Sequence, residues 1–237
     1  MNRPVRWILS VGLIAVMFGV PIVYFRAEYA HHKRLRVVKA DVLYRSGQMT
    51  AEGFRDAVAR FGIRTIINCQ NEFPDPDLPL TFWLRQTVRE SELCRDLGVR
   101  YVHLDPDLVP NRCDPGARPE VIDQFLSIVD DISAHPILLH CKAGLHRTGI
   151  LVAAYRQEYD RWGPYAALEE LKANGFGDSA ATAANDYIQQ YVLNFRPRPF
   201  PLVNQSEDSG SGRSSWEWSR KKNSASVRAP NPVTAQQ

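Results

Sequence analysis

The stretch His140-Cys141-Lys142-Ala143-Gly144-Leu145-His146-Arg147-Thr148-Gly149 gathers a thiol, an arginine and a hydroxyl into one short segment. The apolar run Pro136-Ile137-Leu138-Leu139 precedes it, and the helical pattern Ile150-Leu151-Val152-Ala153-Ala154-Tyr155 follows it. Cys141 is therefore expected at the end of a strand, on a loop that opens a helix. That placement suits attack on a phosphate. A thiol attacks as its thiolate. Backbone N–H groups at a helix N-terminus, with the positive end of the helix dipole, stabilise a thiolate and bind an anion. Arg147 can return across the loop, where its planar fork matches two phosphate oxygens. Thr148 is placed to hydrogen-bond the sulfur and help it leave a cysteinyl-phosphate. His140 would orient the loop from behind. A bare Cys-x5-Arg is a weak signal, and the strand–loop–helix context is what makes it specific.

The elements that must position this loop alternate between strand and helix. Val42 to Arg45 reads as a short strand. Thr50 can cap a helix with apolar positions Phe54, Ala57, Val58 and Phe61, ended by Gly62. Ile63 to Asn68 is β-branched and reads as a buried strand. After a loop with Pro74, Pro76 and Pro79, a helix is expected from Phe82 to Leu97, then a strand from Val99 to Leu104. Pro119 is suited to the first turn of a helix carrying Val121, Ile122, Phe125, Leu126 and Val129. Two more helices are expected near Tyr165–Ala173 and Ala181–Leu193. Helices between parallel strands predict a covered α/β sheet with its ligand site at the carboxyl ends of the strands, where Cys141 lies.

The block from His135 to Gly149 resembles the signature loop of the protein tyrosine phosphatase superfamily, Cys-x5-Arg followed by Ser or Thr. Within it, the block is most similar to the dual-specificity branch and the atypical phosphatases of plants, fungi and bacteria. Val38 to Gln48, with Tyr44-Arg45-Ser46-Gly47, resembles the opening of those domains, and Ile63 to Asn68 their second strand. The resemblance implies a three-layer α/β fold, a mostly parallel central sheet flanked by helices. It also implies hydrolysis through a cysteinyl-phosphate, with no cofactor and no metal. It casts Cys141, Arg147 and Thr148 as catalytic, and Lys142, Ala143, Gly144, Leu145 and His146 as the substrate-binding loop. Arg45 would serve either the fold or the site rim.

Two roles stay open at this stage. The family's general acid is an aspartate on a loop before the cysteine, which protonates the leaving oxygen and then activates water. Asp107, which starts Asp-Leu-Val-Pro, is the first choice, followed by Asp105 and then Asp114. The second is substrate. Phosphoinositide and inositol-phosphate members carry two lysines in the loop, whereas this chain has Lys142 but Leu145 at the second place. That favours phosphotyrosine, with phosphoserine or phosphothreonine as a broader option. Inositol phosphates, inositol pyrophosphates and phosphoinositides stand as the alternative. The resemblance also suggests that Cys69, at the end of a strand, could form a reversible disulfide with Cys141.

Outside the expected domain, residues 37–195, the chain changes character. From Trp7 to Phe25 no residue is charged. At about 1.5 Å per residue this nearly spans a hydrocarbon core of about 30 Å. Aromatic residues stand at both ends, and no small-x-small cleavage site follows. Residues 1–36 are therefore read as a single-pass membrane anchor with a basic juxtamembrane linker, against the alternative of a cleaved signal peptide. Arg3, Arg6 and the amino terminus flank one side of the apolar run and Arg26, Lys33, Arg34, Arg36 and Lys39 the other, a balance that favours the catalytic domain in the cytoplasm. Residues 196–237 are polar and poor in aliphatics, and are read as a disordered tail.

Composition bounds the function further. The 237 residues are 44% hydrophobic and 23% charged, ordinary for a globular domain. A net charge of +3 gives no case for nucleic acid as a partner. Cys69, Cys94, Cys113 and Cys141 lack the spacing of a disulfide framework or a zinc site. Two further function classes compete with catalysis at phosphorus. A phosphate-binding pseudophosphatase would bind without turnover, and a rhodanese-type sulfurtransferase also presents a cysteine loop before a helix. The Arg147-Thr148 ending and Tyr44-Arg45-Ser46-Gly47 favour the phosphatase.

Overall fold

Strand β7 (Ile137–Cys141) lies at the centre of a five-stranded sheet in the computed structural model, which describes residues 3–105, 119–177 and 186–199. Its neighbours are β2 (Leu43–Gly47) and β3 (Thr65–Asn68), both parallel to it. β1 (Arg36–Lys39) closes one edge antiparallel to β2, and β6 (Arg100–His103) closes the other parallel to β3. The order is β1-β2-β7-β3-β6, a mostly parallel sheet as expected. All five residues of β7 are buried, as a central strand covered on both faces requires.

Alternation along the strands builds two cores. Leu43, Ile67, Ile137 and Leu139 face one layer of helices, namely α4 (Glu120–Asp130), α5 (His146–Glu158), α6 (Pro164–Ala173) and α7 (Asp186–Asn194). Tyr44, Ile66 and Leu138 face the other, made by α2 (Ala51–Phe61) and α3 (Glu90–Asp96). A period of two in the strands thus yields three layers. Thr50 caps α2 by accepting the Gly53 N–H at 3.1 Å, and Gly62 ends it in the left-handed conformation at φ +62°.

One expected element is replaced. The segment from Phe82 to Leu97 is not a single helix. Thr87–Arg89 forms β5, paired antiparallel with β4 (Asp77–Pro79), and only Glu90–Asp96 is helical. The physical reason is local. Thr87 and Val88 are β-branched, and Val88 pairs with the fully buried Leu78. The Thr81 hydroxyl accepts from the N–H groups of Trp83 and Leu84, which holds a turn there. Pro119 caps α4 and does not enter its first turn. The edge strand β1 is an element that strand reading of the sequence had not marked.

At the N-terminus, α1 (Arg3–Arg26) continues into a π-helical turn, Ala27–His31. Its apolar side chains are exposed, and it is long and apolar enough to cross a membrane. The elements above fall in one unit, Met1–Arg198. The expected tail falls almost wholly outside the described residues, as do Asp107, Cys113 and Asp114.

Candidate active site

Residues 142–145 join the end of β7 to the start of α5, so the sheet delivers Cys141 directly to a helix N-terminus. Cys141 is buried and stands in register with Gly47 at the end of β2. On the other side the Cys69 N–H donates to the His140 carbonyl at 2.8 Å, which sets a second thiol beside the first.

The loop is held by its carbonyl oxygens, from behind. The Gln48 N–H reaches Lys142 O at 3.3 Å, Arg34 Nη1 reaches Ala143 O at 2.8 Å, and Arg45 Nη2 reaches Gly144 O at 2.8 Å. In a trans peptide the N–H points opposite to the C=O. The N–H groups of Ala143, Gly144 and Leu145 are therefore turned to the side away from those donors. The Gly144 N–H confirms the direction, lying 3.2 Å from Cys141 Sγ. Converging N–H groups at a helix N-terminus have the form of a nest that suits an anion. Gly144 has φ +73°, and a Cβ there would stand 2.6 Å from backbone atoms of Ser46 and Gly47. Only glycine fits both the conformation and the contact.

Arg45 serves the loop from within the fold. Burial lowers its pKa to about 10, which leaves it charged at neutral pH. Behind the loop, His140 Nε2 lies 2.6 Å from Glu90 Oε1, with both side chains fully buried, and the Phe54 ring stands edge-on to the imidazole. His140 does sit behind Cys141, and its partner is a residue that sequence reading missed. Glu90 lies fifty positions upstream, inside the helix expected from Phe82 to Leu97, and no local spacing links the two.

Arg147, in the first turn of α5, is gripped by another missed residue. Its Nη1 and Nη2 each donate to one oxygen of Glu72 at 3.0 Å. The Arg147 hydrogen bonds hold the Glu72 carboxyl down at about 2. This end-on grip takes two of the five guanidinium N–H groups, and Nε–H, on the side edge, is not one of them. Lys142 is exposed, with its ammonium 5.2 Å from the centre of the Phe73 ring.

Two expected contacts are placed differently. The Thr148 hydroxyl makes no hydrogen bond to the sulfur. It is buried without a partner, because Thr148 sits inside the first turn of α5 while the sulfur takes the Gly144 N–H. The His146 ring packs edge-on to Phe176 at 5.5 Å, and burial with the Arg147 charge lowers its pKa. It brings no positive charge to the nest at neutral pH. Leu145 is buried, and Ala143 and Gly144 contribute backbone. Asp105 is exposed just past β6, where the Leu104 N–H is tied to Asn68 O at 2.9 Å. Asp107 and Asp114 lie outside the described residues.

The chain is similar to several known proteins. The family model described as DSP-PTPase phosphatase fused to NAD+ kinase matches residues 22–188. The tyrosine-protein phosphatase-like protein OCA2 of Saccharomyces cerevisiae is 31% identical over 163 residues, covering 68% of this chain and 74% of that protein. The dual specificity protein phosphatase TpbA of Pseudomonas aeruginosa is 51% identical over 59 residues, 23% of this chain and 27% of TpbA. The crystal structure of TpbA superposes with a TM-score of 0.51 at 25% identity, covering 69% of this chain and 86% of that one. Inositol diphosphatase DSP3 of Arabidopsis thaliana is 30% identical over 138 residues, 56% of this chain and 59% of DSP3.

Proposed function

The chain belongs to the DSP-PTPase phosphatase family, and on that premise we propose that Cys141 is its nucleophile, Arg147 its phosphate fork and phosphotyrosine its leading substrate class. The observation that carries this is the outward restraint of three consecutive loop carbonyls, which turns the loop N–H groups towards the sulfur. The Cys141 thiolate attacks phosphorus, an S–P bond forms and the ester P–O bond breaks. The nest and Arg147 hold the oxygens as charge shifts between them. The leaving oxygen takes a proton from an aspartic acid on the loop after β6. That aspartate, now ionised, takes a proton from water. The water attacks phosphorus, the S–P bond breaks, and inorganic phosphate leaves with the thiolate restored. Asp107 is the first candidate for the acid, then Asp105 and Asp114. Thr148 supports the departing thiolate, a role for which its buried hydroxyl has no competing hydrogen bond.

The test is hydrolysis of p-nitrophenyl phosphate and of phosphotyrosine peptides in the presence of a chelator. Cys141→Ser should abolish turnover, and Arg147→Lys should lower it by about 10²-fold or more, since an ammonium cannot reproduce the fork. Turnover that survives Cys141→Ser overturns the assignment. Asp105→Asn, Asp107→Asn and Asp114→Asn are then compared on phosphates with good and poor leaving groups. The true acid is the one whose loss is about 10²–10⁴-fold on the poor leaving group and small on the good one.

A second reading, inositol phosphate or pyrophosphate hydrolysis, is favoured by the likeness to DSP3 and by the exposed Lys142 at the loop. A panel of phosphopeptides, phosphoinositides and inositol pyrophosphates separates the two. For α1 the reading is a single-pass anchor with the catalytic domain on the cytoplasmic side, supported by its length, its exposed apolar surface and the basic residues that follow it.

A further inference from the structure

The segment between α1 and β1 runs into the active site. The Lys33 carbonyl accepts the Gly47 N–H at 2.7 Å, and Gly47 is the register partner of Cys141. The Lys33 methylenes lie over the face of Gly47, so close that a Cβ on Gly47 would meet them at 2.9 Å. The next residue, Arg34, donates to Ala143 O inside the loop. Residues far upstream of the signature loop therefore build one of its walls.

The charges at that wall are one-sided. Lys33 is half-buried, and the charged groups that act on it are Arg34, Cys141 and Lys142. Among the described residues, no carboxylate is one of them. Burial and the two cations lower its pKa, while Cys141 opposes them. Glu72 is engaged by Arg147 on the other side of the loop. A partly desolvated ammonium beside cations is costly unless an anion joins it. The phosphate that reacts is already provided for by the nest and Arg147. A further anionic group on the same substrate is what the spare cation suits.

We propose that Lys33, with Lys142, forms a second anion subsite beside the phosphate nest, which takes a second phosphate group of the substrate. The subsite rests on the phosphatase reading and deepens it. It also supplies, from the juxtamembrane segment, the positive charge that the signature loop lacks at Leu145. Substrates that carry a phosphate adjacent to the one removed then gain a contact that a lone phosphomonoester lacks, so the subsite bears on the second, polyphosphate reading of the function and leaves phosphotyrosine hydrolysis to the nest and Arg147 alone.

The experiment uses the full chain in detergent and measures competitive inhibition of p-nitrophenyl phosphate hydrolysis by inorganic phosphate and by pyrophosphate. The ratio of the two inhibition constants is the readout, because a general loss of folding or turnover cancels in it. In the wild-type protein pyrophosphate should bind at least about tenfold more tightly than phosphate, as one added charge-assisted contact provides. Lys33→Met keeps the stem that packs on Gly47 and removes the charge, and should bring the two constants to within about threefold. Lys33→Arg should keep the wild-type ratio. Equal binding of the two anions by the wild-type protein overturns the proposal without recourse to any variant. So does a Lys33→Met ratio equal to that of wild type. Failure of the phosphatase reading looks different, since p-nitrophenyl phosphate hydrolysis would then be absent or insensitive to Cys141→Ser.

Discussion

In the proposed mechanism, Glu72 governs how Arg147 would meet a phosphate. A lone arginine side chain has many rotamers, and fixing it costs entropy at every turnover. The end-on grip of Glu72 holds both Nη groups of the guanidinium, which restrains its plane before substrate arrives. Glu72→Gln should therefore lower kcat/KM by about 3–30-fold, chiefly through KM, measured by steady-state hydrolysis of p-nitrophenyl phosphate. A lower KM in the variant would show that Glu72 competes with substrate. The pH dependence of stability follows from the same pair. The folded-state carboxyl of Glu72 is depressed to about 2 from an ordinary value of 4.5. Its contribution is therefore present above pH 4.5 and lost as pH falls towards 2. Because Glu72 is exposed, solvent screening keeps that contribution at or below about 1 kcal/mol. Denaturant titrations of wild type and Glu72→Gln should differ slightly at pH 6 and coincide near pH 2. Cys69 provides another residue-scale check. Burial and the neighbouring Cys141 charge push its thiol well above the usual range, so it stays protonated and unreactive on its own. After mild peroxide, peptide mapping should find Cys69 joined to Cys141, because condensation of a sulfenic Cys141 with the adjacent thiol needs no solvent access. A free Cys69 beside an over-oxidised Cys141 would reject the pairing.

At the scale of elements, the site was legible wherever its parts are contiguous. β7, the loop and α5 are successive in the chain, so apolar run, Cys-x5-Arg and helical pattern could be read together. The partners that hold the loop are not contiguous. Arg34 comes from the turn before β1, Arg45 from the middle of β2, Glu72 from the segment after β3, and Glu90 from the start of a short helix. Their roles depend on strand order, and a β2-β7-β3 adjacency is not encoded in local spacing. Helical periodicity from Phe82 to Leu97 misled for a related reason, since Leu78 captures Val88 into a hairpin that only tertiary contact stabilises. Two substitutions test these long-range holds. Gly144→Ala places a methyl against the Ser46–Gly47 backbone at a positive φ, and should cut kcat/KM by about 10²-fold by displacing the N–H groups, with little change in far-UV circular dichroism. Glu90→Ala leaves His140 without its carboxylate in a closed core. It should cost about 3–5 kcal/mol of unfolding free energy in urea, and a loss under 1 kcal/mol would mean the pair is not a structural hold.

At the scale of the whole molecule, the anchor and the chemistry are connected by very little chain. α1 ends at Arg26, and Lys33 already lies on Gly47 beside Cys141. Seven residues reach at most about 25 Å when fully extended, and the π-helical turn at Ala27–His31 shortens that span. The helix end is also fastened to the domain, with Arg26 Nη1 on Phe82 O at 3.0 Å and its guanidinium 5.6 Å from the Trp83 ring. Trp83 and Leu84 are exposed there, at the level where a membrane interface would begin. If α1 spans a bilayer as proposed, a domain so closely tied to its helix would meet its substrates near the bilayer surface. The full chain should accordingly stay with membranes through a carbonate wash. Val11→Arg with Val16→Arg, each costing about 2.5–3.5 kcal/mol at the centre of a spanning helix, should move it to the supernatant with its Cys141-dependent activity intact. Wild-type protein released by carbonate would reject the anchor. Sealed inside-out vesicles should hydrolyse an impermeant phosphopeptide added outside, and right-side-out vesicles should not. The opposite result would place the catalytic domain across the membrane, in a compartment where the Cys69 and Cys141 thiols would meet oxidising conditions instead of reducing ones.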